Sequence, residues 1–118
     1  MKTLYKIDDG ERLYFYYAKS ILDAKTKHLV DHADDHVLHI EQVLTDQGYP
    51  IVKLRDVENG SYFHRITKRD GEYCEHSVVW CKGEYDRSTK KWFCHKFEDV
   101  NHSRLFKGEE LVTIDFTF

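Results

Sequence analysis

At 118 residues, with 41% hydrophobic and 14% aromatic content and a single proline, the chain has room for one core and falls outside the disordered and low-complexity classes. Its net charge of −3 is uneven, with 6 Lys/Arg against 9 Asp/Glu in residues 1–50 and 12 against 12 in residues 51–118, so the chain is a poor candidate for binding nucleic acid through overall charge, although a local basic patch could still do so. No apolar run nears the roughly 20 residues that span a bilayer, and MKTLYKIDDG lacks the apolar stretch of a signal peptide.

The expected setting is therefore cytoplasmic, without a membrane partner. Cys74, Cys81 and Cys94, odd in number, fit neither a disulfide framework nor paired zinc knuckles, and read as reduced thiols.

In chain order, Thr3–Ile7 and Arg12–Ala18 are aromatic, β-compatible segments around Asp8-Asp9-Gly10-Glu11, a turn with a D-G step, and predict an antiparallel hairpin. Ser20, three residues before Asp23, starts a helix, and Gly48-Tyr49-Pro50 stops it. Between them Leu22, Leu29, Val30, Ala33, Val37, Ile40 and Leu44 share one arc of about 100° on a helical wheel. This predicts one long amphipathic helix over residues 20–47, with Asp34 or Asp35 able to cap a second helix instead.

After Pro50 the pattern changes to short β segments: Ile51–Leu54, Tyr62–Thr67, Tyr73–Lys82, Lys91–Phe97 and Leu111–Phe118, separated by turn residues such as Arg69-Asp70-Gly71. The expected fold class is α+β: hairpin and long helix packed on an antiparallel meander or small barrel, as a single domain over 1–118 in which residues 1–49 and 50–118 share a core.

Three constellations carry candidate chemistry. His28, His32, His36 and His39, at steps of four, four and three, would line one edge of the long helix, where imidazoles at i and i+4 can share a zinc ion. The plainer reading is a stripe of histidines at the core boundary with a nitrogen in water, with zinc binding as the alternative. Cys74, His76, Cys81, Cys94, His95 and His102 would also suffice for one zinc, but not with the spacing of a finger or ribbon. Arg87, Lys90, Lys91, Trp92 and Lys96, with Tyr85, interleave cations and aromatics on a hairpin, as a platform for single-stranded nucleic acid requires. Glu84, Asp86, Glu98 and Asp99 nearly cancel that charge in sequence.

The segments LRDVENGSYFHR (54–65) and GEYDRSTKKWFCHKFEDVNHSRLFKGEELVTIDFTF (83–118) resemble a β-rich pattern in small proteins of bacteriophages and mobile elements. The resemblance implies stoichiometric binding to host machinery, with inhibitors of defence systems as one group, and transfers no catalytic residue. No nucleophile elbow or glycine-rich phosphate loop stands in the chain. The leading expectation is a non-enzymatic inhibitor or regulator of a host protein, such as a nucleic-acid-binding effector. It would act through the acidic helix edge at Asp23, Asp31, Asp34 and Glu41 and the aromatic strand at Tyr14 and Tyr16. Because Leu13–Tyr17 places aromatics on both faces of a strand, a homodimer covering one face is also expected.

Overall fold

The computed structural model describes residues 1–114. The D-G turn forms as expected: the Asp8 carboxylate accepts from the Gly10 N–H at 2.8 Å, and that of Asp9 from the Arg12 N–H at 2.7 Å. It joins β1 (Thr3–Asp8) to β2 (Leu13–Ala18), antiparallel with Lys6 opposite Phe15. Helix α1 (Ile21–Asp31) opens where the Ser20 hydroxyl accepts from the Asp23 N–H at 3.1 Å.

The long helix does not form. α1 has 11 residues and ends at His32, whose N–H still bonds His28 O but whose φ of −134° leaves helical space. Downstream, His39–Gln42 is a strand, β3, antiparallel to β1 with Ile7 opposite Ile40 and Lys6 opposite Glu41. Ile7 is fully buried, so the free edge of β1 would hold polar backbone groups out of water, and β3 satisfies them. Val37 and Ile40, whose spacing had suggested a helix face, instead pack from the loop and strand onto Tyr5, Ile7, Ala18 and Ala24.

The second sheet comprises β4 (Val52–Lys53), β5 (Tyr62–Arg69), β6 (Glu72–Asp86), β7 (Lys91–Lys96), β8 (Ser103–Lys107) and β9 (Leu111–Thr113), in the order β4-β9-β5-β6-β7-β8. The β5–β6 turn is a two-residue one with positive φ at both Asp70 (51°) and Gly71 (81°), the conformation that suits the twist of a hairpin. Two register shifts let the 15-residue β6 bend. At the second, Gly83 is required, since a Cβ there would lie 2.6 Å from the Phe93 carbonyl oxygen. The sheet curls until the 3-10 turn after β4 (Leu54–Asp56) meets the β8–β9 turn, through Leu54 N–H to Glu110 O and Arg55 N–H to Gly108 O. Its core is Val52, Leu54, Phe63, Trp80, Cys94, Phe106 and Val112.

The expectation of a helix-covered α+β meander is thus replaced, among the described residues, by two antiparallel sheets, mostly β, with one short α-helix on the smaller of them. They meet where Leu4, Ile51 and Ile66 pack together and Leu4 N–H bonds Ile51 O, giving extents of 52 × 31 × 22 Å. Strand β8 was not foreseen. Of the segment Leu111–Phe118, residues 111–113 form β9 and residues 115–118 lie outside the described residues. No described helix is long and apolar enough to cross a membrane.

Candidate nucleic-acid interface

The β6–β7 turn is built on Asp86, whose carboxylate accepts from the Ser88 N–H, the Ser88 hydroxyl and the Thr89 hydroxyl. These bonds, those of the Ser88 and Thr89 hydroxyls foremost, hold Asp86 below the usual carboxylate range and occupy its oxygens. Lys90 closes the turn at φ 58°, a left-handed conformation unusual for a lysine. At the base of the hairpin Tyr85 and Trp92 are cross-strand partners, with ring centroids 4.5 Å apart and planes tilted by 52°.

Trp92 is held in place from beneath. Lys82 is buried, with its ammonium 4.7 Å from the Trp92 ring centroid and hydrogen-bonded to the carbonyl oxygens of Arg55 and Val57. Burial pushes the Lys82 pKa down. Gly108 closes over the indole, where a Cβ would stand 2.7 Å from Trp92 and 3.0 Å from Arg55.

The result is a cleft of about 430 Å³ lined by Arg55, Lys90, Lys91, Lys107, Tyr85, Trp92 and Glu109, four cations against one carboxylate. Glu109 is engaged already, bridging Lys53 Nζ at 2.9 Å and Arg55 Nη1 at 2.8 Å, and the bond from Lys53 lowers its pKa. Lys91 and Lys107 are direct partners across β7 and β8, and among the described residues neither forms an ion pair. Like charges so placed repel.

Of the basic set expected from sequence, Lys90, Lys91 and Trp92 meet here, and Arg87 is exposed in the adjoining turn. Lys96 does not join them; it lies at the other end of β7, 5.9 Å from the Trp80 ring centroid. The acids Glu98 and Asp99 belong to that far end too, beyond the end of β7 at Lys96. Arg55 and Lys107 replace Lys96, and only the pairing of β7 with β8 and the 3-10 turn brings them in. Their sole sequence signal is the basic character of KLR (53–55) and of Lys107-Gly108.

The histidines are not a stripe. His28 is fully buried, its Nε2 2.6 Å from Asp35 Oδ2 and its Nδ1 2.8 Å from the Tyr16 hydroxyl. His32 stacks on it, centroids 4.8 Å apart, whereas His36 and His39 lie past the helix end, and His39 faces Glu41 at 3.4 Å. The Cys/His set is divided as well: Cys94 is in the core, Cys81 pairs with His95, and His76 bonds Thr67. Among the described residues no three His, Cys, Asp or Glu side chains are grouped to hold one ion.

The acidic edge also disperses, because it relied on the long helix. Asp23 caps α1, accepting from the Lys19 N–H, and is 3.6 Å from Lys27; Glu41 sits on β3 in a 2.6 Å ion pair with Lys6. Asp31 and Asp34 remain exposed. Tyr14 and Tyr16 face α1 and contact His28, while Leu13 and Phe15 point the other way, exposed by 53% and 43%. They border an open groove of about 610 Å³ whose wall also includes Val43, Leu44, Lys68 and Tyr73.

No family model, curated protein or solved structure matches the chain.

Proposed function

We propose that this protein binds single-stranded nucleic acid, without catalysis, in the cleft between the β6–β7 hairpin and the β8–β9 turn. The observation that carries this reading is the single cleft that Arg55, Lys90, Lys91 and Lys107 line together with the paired rings of Tyr85 and Trp92. Cations gathered along one cleft are relieved by an anion among them, and the half-exposed Tyr85 offers a π-face for a base. The local acidity that weakened this reading in the sequence is mostly directed elsewhere, because Asp86 is tied into its own turn and Glu98 and Asp99 are at the far end of β7.

Fluorescence anisotropy with a labelled 12-nucleotide strand tests it. Binding by four cations gives a log K versus log salt slope of about −3, and Lys91→Glu with Lys107→Glu abolishes it. Tyr85→Ala costs about 1 kcal/mol or more if a base stacks there. Affinity that is absent at low salt, or indifferent to salt, overturns the reading.

A second reading, stoichiometric binding to a host protein by a phage-type inhibitor, is favoured by the groove beside Leu13 and Phe15 on the edge strand β2. Recovery of one nuclease-resistant protein partner, lost in Phe15→Glu, supports that reading over the first. The same surface suits a homodimer, which sedimentation of wild type and Phe15→Glu detects.

A further inference from the structure

We infer that Lys53 and Arg55 form a phosphate subsite that Glu109 occupies in the free protein, and that a backbone phosphate of the bound strand displaces the Glu109 carboxylate from it. The inference rests on the cleft reading above and extends the cleft beyond the hairpin to β4.

The geometry is that of an anion site already filled. Lys53 at the end of β4 and Arg55 in the 3-10 turn stand two residues apart, and both point to one carboxylate, Lys53 to Oε2 at 2.9 Å and Arg55 to Oε1 at 2.8 Å. A backbone phosphodiester presents oxygens of the same kind and the same single negative charge, so it competes for the same donors. Glu109 is also free to leave. It occupies the middle of a turn fixed without it, by Glu110 N–H to Lys107 O, Arg55 N–H to Gly108 O, Leu54 N–H to Glu110 O, and the Arg65–Glu110 ion pair at 2.9 Å. Its side chain is 61% exposed, and swinging it out breaks no backbone bond.

The position is also right for a continuing strand. Arg55 and Glu109 line the same cleft as Lys91, Lys107 and Trp92, so the subsite is the next cationic step along it. Lys53 lies 4.6 Å from the Tyr17 ring centroid, which places another aromatic group at the far side of that step.

The test compares wild type, Glu109→Gln and Glu98→Gln, the last removing an equal charge at the far end of β7. Freeing two cations tightens the strand by roughly three- to tenfold in Glu109→Gln and steepens the salt slope by about 0.7, with little change in Glu98→Gln. Adding Lys53→Ala and Arg55→Ala removes the gain. Equal effects of the two Gln variants, or a gain that survives loss of Lys53 and Arg55, overturn the inference.

A second probe separates it from the nucleic-acid reading. Inorganic tripolyphosphate titrated into Glu109→Gln shifts the backbone amide resonances of Lys53, Arg55 and Gly108. If those shifts occur but oligonucleotide does not bind, the subsite stands and the strand reading falls. If tripolyphosphate leaves those amides unmoved, the subsite is refuted whatever the strand does.

Discussion

The Tyr16–His28–Asp35 network is predicted to hold the end of α1 to the loop that follows, in place of a longer helix. A carboxylate only accepts, so His28 Nε2 carries its proton toward Asp35, and in the neutral ring Nδ1 accepts from the Tyr16 hydroxyl. Tyr16→Phe then leaves a buried nitrogen without its partner and costs about 1–2 kcal/mol. Tyr14→Phe, whose ring also touches His28 but whose hydroxyl makes no such bond, costs a few tenths of that at most.

Asp35→Ala removes the acceptor for the fully buried Nε2–H and also the 3.0 Å bond from the His36 N–H to Asp35 Oδ1, for about 2–3 kcal/mol in all. The two losses share one imidazole. Asp35 sets the tautomer that Tyr16 reads, so the double variant departs from additivity by roughly 0.5–1.5 kcal/mol. Urea unfolding followed by circular dichroism measures each corner of the cycle, and thermal midpoints fall by about 4 °C per kcal/mol. Additivity within about 0.3 kcal/mol, or a Tyr16→Phe cost no larger than that of Tyr14→Phe, would falsify the shared-imidazole account.

Lys90→Gly is expected to raise stability by about 0.5–1 kcal/mol, since glycine takes φ 58° without a Cβ penalty, and to weaken oligonucleotide binding; a stabilised variant with unchanged affinity would show that the strained lysine does not serve the cleft. Burial lowers the Lys82 pKa, so over an alkaline window the unfolded chain keeps a proton that the folded one has released, and stability contributed by this residue rises with pH there. The measurement is the wild-type minus Lys82→Met difference in unfolding free energy from pH 7 to 10, so that Tyr17 (pushed up to about 12) and Cys94 (about 11), which pull the other way, cancel; a flat or falling difference contradicts it. Native protein should react rapidly with a thiol reagent at half-buried Cys74 and slowly at Cys81 and Cys94, and unfolding in urea should equalise all three; a fast second thiol in the native state would show that the core of the large sheet opens.

Local chemistry made part of this fold legible. Asp9-Gly10 and Asp70-Gly71 mark two tight hairpins because those residues tolerate positive φ or hold neighbouring N–H groups, and Ser20 marks the start of α1 because its hydroxyl caps an N–H. Turn residues between short β-compatible segments placed most strands of the second sheet. Strand β8 leaves little trace in the sequence because Ser103–Lys107 buries only Phe106, too few inward residues for a period to show.

Only the tertiary structure decided where the helix ends and where charge gathers. Spacing at 37, 40 and 44 satisfies a helix, yet the open edge of the buried β1 strand demands hydrogen-bond partners, and that demand turns residues 39–42 into β3. With the helix shortened, the histidine stripe and the acidic edge both dissolve, since each was a property of 3.6-residue periodicity carried too far. The cleft is the converse case. Lys91 and Lys107, 16 positions apart, and Arg55, far from both, become neighbours through strand pairing and the curl of a sheet, long-range geometry that a residue's own sequence neighbours do not encode.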